Sequence, residues 1–168
     1  MACSLILSKT LACLDGIGGI KEIKFHALPS SLTNYTLTSG VVAIVGSDLT
    51  DWFPYSLELE TSSITDVATV DRAQGTAYWA QTLTAIVNKM SAQMNNEIKS
   101  MSGGRWQVAV QLMDGTYFLL GYKNGMTVTT ISGGSGTAMG DRNGYTYNLT
   151  GKEDNPAPNM TQATYESL

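Results

Sequence analysis

Between Trp106 and Tyr122 the chain alternates with period two on both sides of an Asp114-Gly115 pair, and this constrains the fold more than any other feature. Trp106, Val108, Val110 and Leu112 alternate with Gln107, Ala109 and Gln111. Tyr117, Leu119 and Gly121 then alternate with Phe118, Leu120 and Tyr122. Successive strand side chains point to opposite faces, and Asp-Gly favours the positive φ of a tight hairpin turn. A chain with this signature near its middle must build a sheet.

The same reading extends in both directions. Residues 17–27, with Ile23 and Phe25 alternating with Lys24 and His26, read as a half-buried strand. Residues 34–45 end in the β-branched run Val41-Val42-Ala43-Ile44-Val45, the kind buried on both faces, with Gly40 marking a bulge or close approach. Residues 52–60 set Tyr55, Leu57 and Leu59 against Ser56, Glu58 and Glu60. Residues 61–75 are polar and read as a long, partly extended loop, of a length that usually serves a function or a partner. Residues 76–87 fit a helix or a strand, and the threonines, the Tyr78-Trp79 pair and Gly75 favour a strand.

At Ser91 the period changes. Ser91 is an N-cap candidate, Met94, Ile98 and Met101 follow at i, i+4 and i+7, and Gly103-Gly104 closes the segment. One short helix is expected. Asn124-Gly125 gives a second hairpin signal, and strands follow at 126–131 and 144–150, separated by a flexible Ser132–Gly136 loop. A polar tail opens at Asn155-Pro156. The total is about eight strands and one helix in a single domain spanning 1–168. The expected fold is mainly β, an antiparallel two-sheet sandwich or rolled barrel.

Composition narrows the function. Only 14% of residues are charged while 43% are hydrophobic, and 35 are Ser or Thr. Such a chain can bury a core, and its low charge suggests a surface covered by partners. Net charge is −4, and the ten Lys and Arg are scattered, unlike the basic patch of a sequence-specific DNA binder. A single histidine excludes multi-His metal sites, and Cys3 and Cys13 cannot form a four-Cys zinc site. No apolar run is long enough for a transmembrane helix. Lys9 interrupts the apolar N-terminus and no basic region precedes it, so no signal peptide and no membrane insertion are expected.

Four constellations invite a catalytic or ligand-binding reading. Gly133–Gly140 is glycine-rich but lacks the lysine and following helix of a phosphate loop. Asp141-Arg142-Asn143-Gly144 resembles a calcium-loop fragment without its distal glutamate, and a local turn is preferred. Glu58 and Glu60 share one face of the expected strand, where a solvated pair is commoner than an acid–base pair. His26 with Ser30, Ser31 or Asp48 lacks a nucleophile elbow. No catalytic residue, cofactor or metal is therefore expected. Trp52, Trp79, Trp106 and the tyrosines could form a sugar-stacking platform, although alternating aromatics more often fill a core.

The order of helix, Gly-Gly, strand, Asp114–Gly121, Asn124-Gly125 and Gly136–Tyr145, with the early Gly18-Gly19-Ile20-Lys21, resembles small phage virion proteins from tail-assembly gene neighbourhoods of phages infecting Bacteroides-like hosts. The resemblance covers most of the chain and consists of turns and strands, with no catalytic signature. It implies a tail-tube-like fold of two packed sheets and one helix. Subunits of this type form six-fold rings whose sheets join into an inner barrel around DNA. It further implies a tail tube or tail-ring subunit of the virion, assembled in the host cytoplasm. Its partners would be copies of itself, other tail proteins and passing DNA. On this analogy residues 61–75 reach a neighbouring ring, with Ile64, Thr65, Asp66, Val67, Asp71 and Arg72 as interface candidates. Residues 1–16 and 152–168 would make further contacts. An acidic protein would suit a lumen that repels phosphate. The alternatives are a connector, terminator or baseplate ring of the same virion, or a carbohydrate-binding β-sandwich.

Overall fold

A computed structural model describes residues 17–168, so the expected 1–16 contact segment, Cys3 and Cys13 lie outside the described residues. The chain is mainly β, with 49% of the described residues in strands and 12% helical. The strands are β1 (Ile20–Ala27), β2 (Tyr35–Thr38), β3 (Val41–Ile44), β4 (Phe53–Ser56), β5 (Ser63–Asp71), β6 (Thr76–Asn88), β7 (Arg105–Leu112), β8 (Tyr117–Leu120), β9 (Met126–Gly134), β10 (Gly144–Glu153) and β11 (Asn159–Met160). Among the described residues a short 3-10 helix (Gly46–Leu49) and two α-helices, α1 (Ala92–Met101) and α2 (Gln162–Glu166), complete the set.

Hydrogen bonding joins all eleven strands into one mixed sheet. It forks at β7. One edge of β7 pairs with β1 through residues 106–112, and β1 carries β4. The other edge is shared. Val108–Gln111 pair with β8, while Arg105 and Trp106 pair with β9. From β8 the sheet runs on through β11 to β3 and β2, and β11–β3 is its one parallel pairing among the described residues. From β9 a second arm runs β9-β10-β6-β5, antiparallel throughout.

Each face of β7 supplies a different core. Val108 and Val110 join Ile23 and Phe25 of β1, Leu83 and Ala85 of β6, and Tyr147 and Leu149 of β10. Ala109, on the opposite face, joins Val42, Ile44, Trp52, Leu119, Met160 and Tyr165. The second core holds a satisfied polar link. Tyr35 donates to Gln107 Oε1 at 2.7 Å, and Gln107 Nε2 donates to the Tyr122 carbonyl at 2.8 Å. A buried amide with partners on both sides avoids the desolvation cost of an orphaned one.

Several expectations hold. Residues 76–88 are a strand, Asp114-Gly115 closes the β7–β8 hairpin, and α1 forms where the period changed. Ser91 Oγ accepts the Met94 N–H, and Met101 is buried with Met94 and Ile98 packed beside it. The Trp106 indole N–H closes the other end of α1 on the Met101 carbonyl at 2.9 Å.

Others are corrected. Residues 63–71 are no loop. They pair with β6 in unbroken register, their polar residues belonging to an edge strand with an exposed face. The Val41–Val45 run is not buried on both faces, because Val42 and Ile44 are buried while Ala43 and Val45 are exposed. Gly40, with φ +81°, and Ser39, with φ 52°, turn a hairpin and make no bulge. The 52–60 strand ends at Ser56, and Glu60 has φ 59°, so Glu58 and Glu60 do not share a strand face. Asn124-Gly125 links two strands that do not pair with each other. Ser132 to Gly134 continue β9, so the loop begins at Ser135. The 152–168 segment is no polar tail either. Its first residues end β10, β11 inserts between β3 and β8, and α2 buries Tyr165 in the second core.

Candidate assembly surface

Direct cross-strand partners share a sheet face. The register of the second arm therefore aligns a row of four threonines: Thr65 on β5, Thr82 on β6, Thr150 on β10 and Thr127 on β9. The next row reads Ser63, Thr84, Asn148 and Thr130. Thr84 donates to Asn148 Oδ1 at 3.0 Å, so this row is internally hydrogen-bonded. The opposite face of the same strands carries Leu83, Ala85, Tyr147 and Leu149 into the first core. The outward face is thus hydroxyl-rich, with two rows free of ionisable side chains across these four strands and the cations Arg105 and Lys152 at one end.

The arm has two unpaired edges. β5 ends the strand order, and β9 lacks a second partner beyond Thr127 among the described residues. Each strand is nine residues long. Exposed edges of this length are usually blunted by proline, inward charge, bulges or shortness. The outer strands β2 and β4 fit that rule, with four residues each and Pro54 in β4. β9 is bulged where Asn148 and Leu149 pair with Thr130 and Val128, and β5 carries the inward Asp66, but the β5–β6 register is regular, and Val67 and Val70 stand 54% and 63% exposed on β5.

The structure sorts the sequence-predicted interface residues. Ile64 packs against the first core. Asp66 turns inward and accepts the Ala157 N–H at 2.7 Å. Asp71 closes the β5–β6 turn by accepting the Ala73 and Gln74 N–H groups. Thr65, Val67 and Arg72 remain exposed, and Arg72 sits at the hairpin tip. The threonine rows escaped the sequence reading, although Thr82-x-Thr84 and Thr146-x-Asn148-x-Thr150 were visible. Their meaning lies in cross-strand register, which pairs residues up to 68 positions apart in Thr82–Thr150.

The remaining candidates resolve locally. Asp141 accepts the N–H groups of Thr137 and Ala138 at 2.7 Å, which hold its carboxyl below the usual range and fold the 135–143 loop on itself. No group of three or more His, Cys, Asp or Glu side chains is placed to hold a metal among the described residues. His26 stacks on Trp52 at 4.9 Å, and burial lowers its pKa against the opposing pull of Asp48 and Asp51. Trp52 is buried in the second core, which removes it from any sugar platform. A small apolar pocket of about 290 Å³ lies between α1 and β4, lined by Phe25, Phe53, Tyr55, Met101 and Trp106. Tyr55 donates to Glu97 at 2.7 Å across its rim, and burial followed by this bond raises the phenol pKa. No helix among the described residues is long and apolar enough to cross a membrane.

No family profile, curated protein or solved structure matches the chain.

Proposed function

We propose that this chain is a non-enzymatic structural subunit of a phage tail, closing with copies of itself into stacked six-fold rings around a DNA passage. The observation that carries the proposal is the four-stranded arm with two long, free edges and a hydroxyl-rich face. Adding β5 of one copy to β9 of the next satisfies the free main-chain groups of both edges. Repeating the step around a ring leaves no edge exposed. In this reading the β4-β1-β7 strands and the β9-β10-β6-β5 arm act as the two layers of a tail-tube-like sandwich, with the first core between them. The hydroxyl plane faces the lumen. A wall of threonine and asparagine holds water and confines its cations, Arg105 and Lys152, to one end, so DNA slides past a hydrated and largely neutral surface. Its inertness comes from neutrality, where acidic composition alone would suggest repulsion.

The exposed β5–β6 tip around Arg72 is the part free to meet a neighbouring ring. A connector, terminator or baseplate ring would use the same edges and differ in stopping after one ring. The particle is assembled in the host cytoplasm and retained in the virion tail, with other tail proteins as neighbours.

The test is negative-stain microscopy of the full chain across a concentration series, with solution mass measured in parallel. Rings or tubes with a central hole are expected, tubes marking a polymerising subunit and single rings a connector. V67K/V70K, which charges the β5 edge outside the core, should keep its circular-dichroism spectrum and lose assembly. A parent protein that is monomeric throughout and indistinguishable from V67K/V70K overturns the reading.

A further inference from the structure

The threonine row ends in a polar cleft that the assembly edges do not use. Its volume is about 540 Å³, and Thr82, Thr127, Thr150, Arg105 and Lys152 line it beside the Asn124-Gly125 turn. Thr82, Thr150, Thr127 and Arg105 are successive cross-strand partners and therefore share the outward face. Lys152 lies two residues beyond Thr150 on the same strand and shares that face as well.

The charges are one-sided. No carboxylate lines the cleft. The Arg105 guanidinium reaches only the Asn124 carbonyl, at 3.4 Å, and the Lys152 ammonium lies 4.9 Å from the centre of the Tyr78 ring. Neither forms an ion pair, since the one ion pair among the described residues joins Lys123 to Asp154. Glu153, next to Lys152, points to the opposite face, where its Oε1 accepts the N–H groups of Lys123 and Asn124. Gln81 also lines the cleft wall. It is 1% exposed, its Oε1 accepts the Gly121 N–H at 2.9 Å, and its Nε2 has no partner.

We propose that this cleft binds a tetrahedral oxyanion, a phosphate group, between Arg105 and Lys152. A guanidinium presents a planar fork to two phosphate oxygens, and an ammonium adds a point charge. The Thr82 and Thr150 hydroxyls supply neutral donors for the remaining oxygens, while the Thr127 hydroxyl donates to the Thr150 carbonyl at 3.2 Å. Binding breaks no existing ion pair, and no neighbouring carboxylate competes for the two cations. The site lies within one copy and does not rest on ring formation. The group is either free phosphate or a phosphate of a polynucleotide backbone.

Isothermal titration of the full chain with inorganic phosphate, and separately with a short DNA duplex, tests the site. Saturable binding of at least one ligand is expected, weakened about tenfold by R105Q or by K152Q. Binding should vanish in the double variant and be unchanged in K99Q, which removes the same charge from α1. Binding of inorganic phosphate identifies a free oxyanion site. Binding of the duplex alone, with a salt slope reduced by about two in the double variant, identifies a backbone phosphate. Arg105 and Lys152 are exposed, and thermal melts matching the parent verify that the variants fold. Binding of neither ligand, binding retained in the double variant, or equal weakening by K99Q overturns the proposal.

Discussion

Gly121 ends β8 at the point where the two arms of the sheet part. Its φ is +66°, and a Cβ there would lie 2.7 Å from the Met126 backbone nitrogen. Both the conformation and the space require glycine. Its N–H is the group that Gln81 reaches across from β6, so one backbone position ties the arms together. Gly121→Ala should lower unfolding stability by about 1–3 kcal/mol, read from the urea midpoint at unchanged slope. Glu153 gives a second residue-scale prediction. Burial raises its pKa more than the N–H bonds from the 123–125 turn lower it. The folded protein therefore binds this proton more tightly than the unfolded chain, and stability falls as pH rises from the ordinary glutamate range through the raised value. Urea midpoints measured across mildly acidic pH should show that decline, and Glu153→Gln should flatten it. A decline of equal slope in the variant would remove Glu153 as its source.

Elements were legible in proportion to how much of their signal is local. The β7–β8 hairpin and α1 carry period, turn and cap within twenty residues, and both form where the sequence places them. β5 was misread because a strand at a sheet edge needs few apolar residues. Ile64 is its one contribution to the first core, and its other face can be polar throughout. β11 and α2 were misread for a related reason. Two strand residues and one turn of helix give no period, yet Met160 and Tyr165 are 5% and 3% exposed. Lys24 shows how firmly α2 is held, since its ammonium donates to the Tyr165 carbonyl at 2.9 Å and lies 4.4 Å from the centre of the Tyr165 ring. Removing residues 159–168 should thus act as a core deletion. The second core loses two large side chains and β3 loses one of its two partners, so the melting temperature should fall sharply with increased binding of a hydrophobic dye. An unchanged melting curve would mean that this segment is an accessory to the fold.

At the scale of the whole molecule, the candidate surface was less legible than the fold. Low charge pointed to a covered surface, but only register shows which face is neutral and which edges are free. The lumen assignment makes its own prediction. T82K/T84K places two cations in the middle of the hydroxyl plane without touching the core beneath. Assembled particles of this variant should retain DNA that the parent releases, with retention lost at high salt. Equal release from both would remove that face from the lumen. A different consequence follows from β11. The β2–β3 hairpin emerges early from the ribosome, yet β11, near residue 160, is the strand that joins it to the rest of the sheet. For most of synthesis the hairpin has no hydrogen-bonded seat. The fold therefore closes its seam last, and a nascent chain stalled before Asn159 carries a finished hairpin with nowhere to dock.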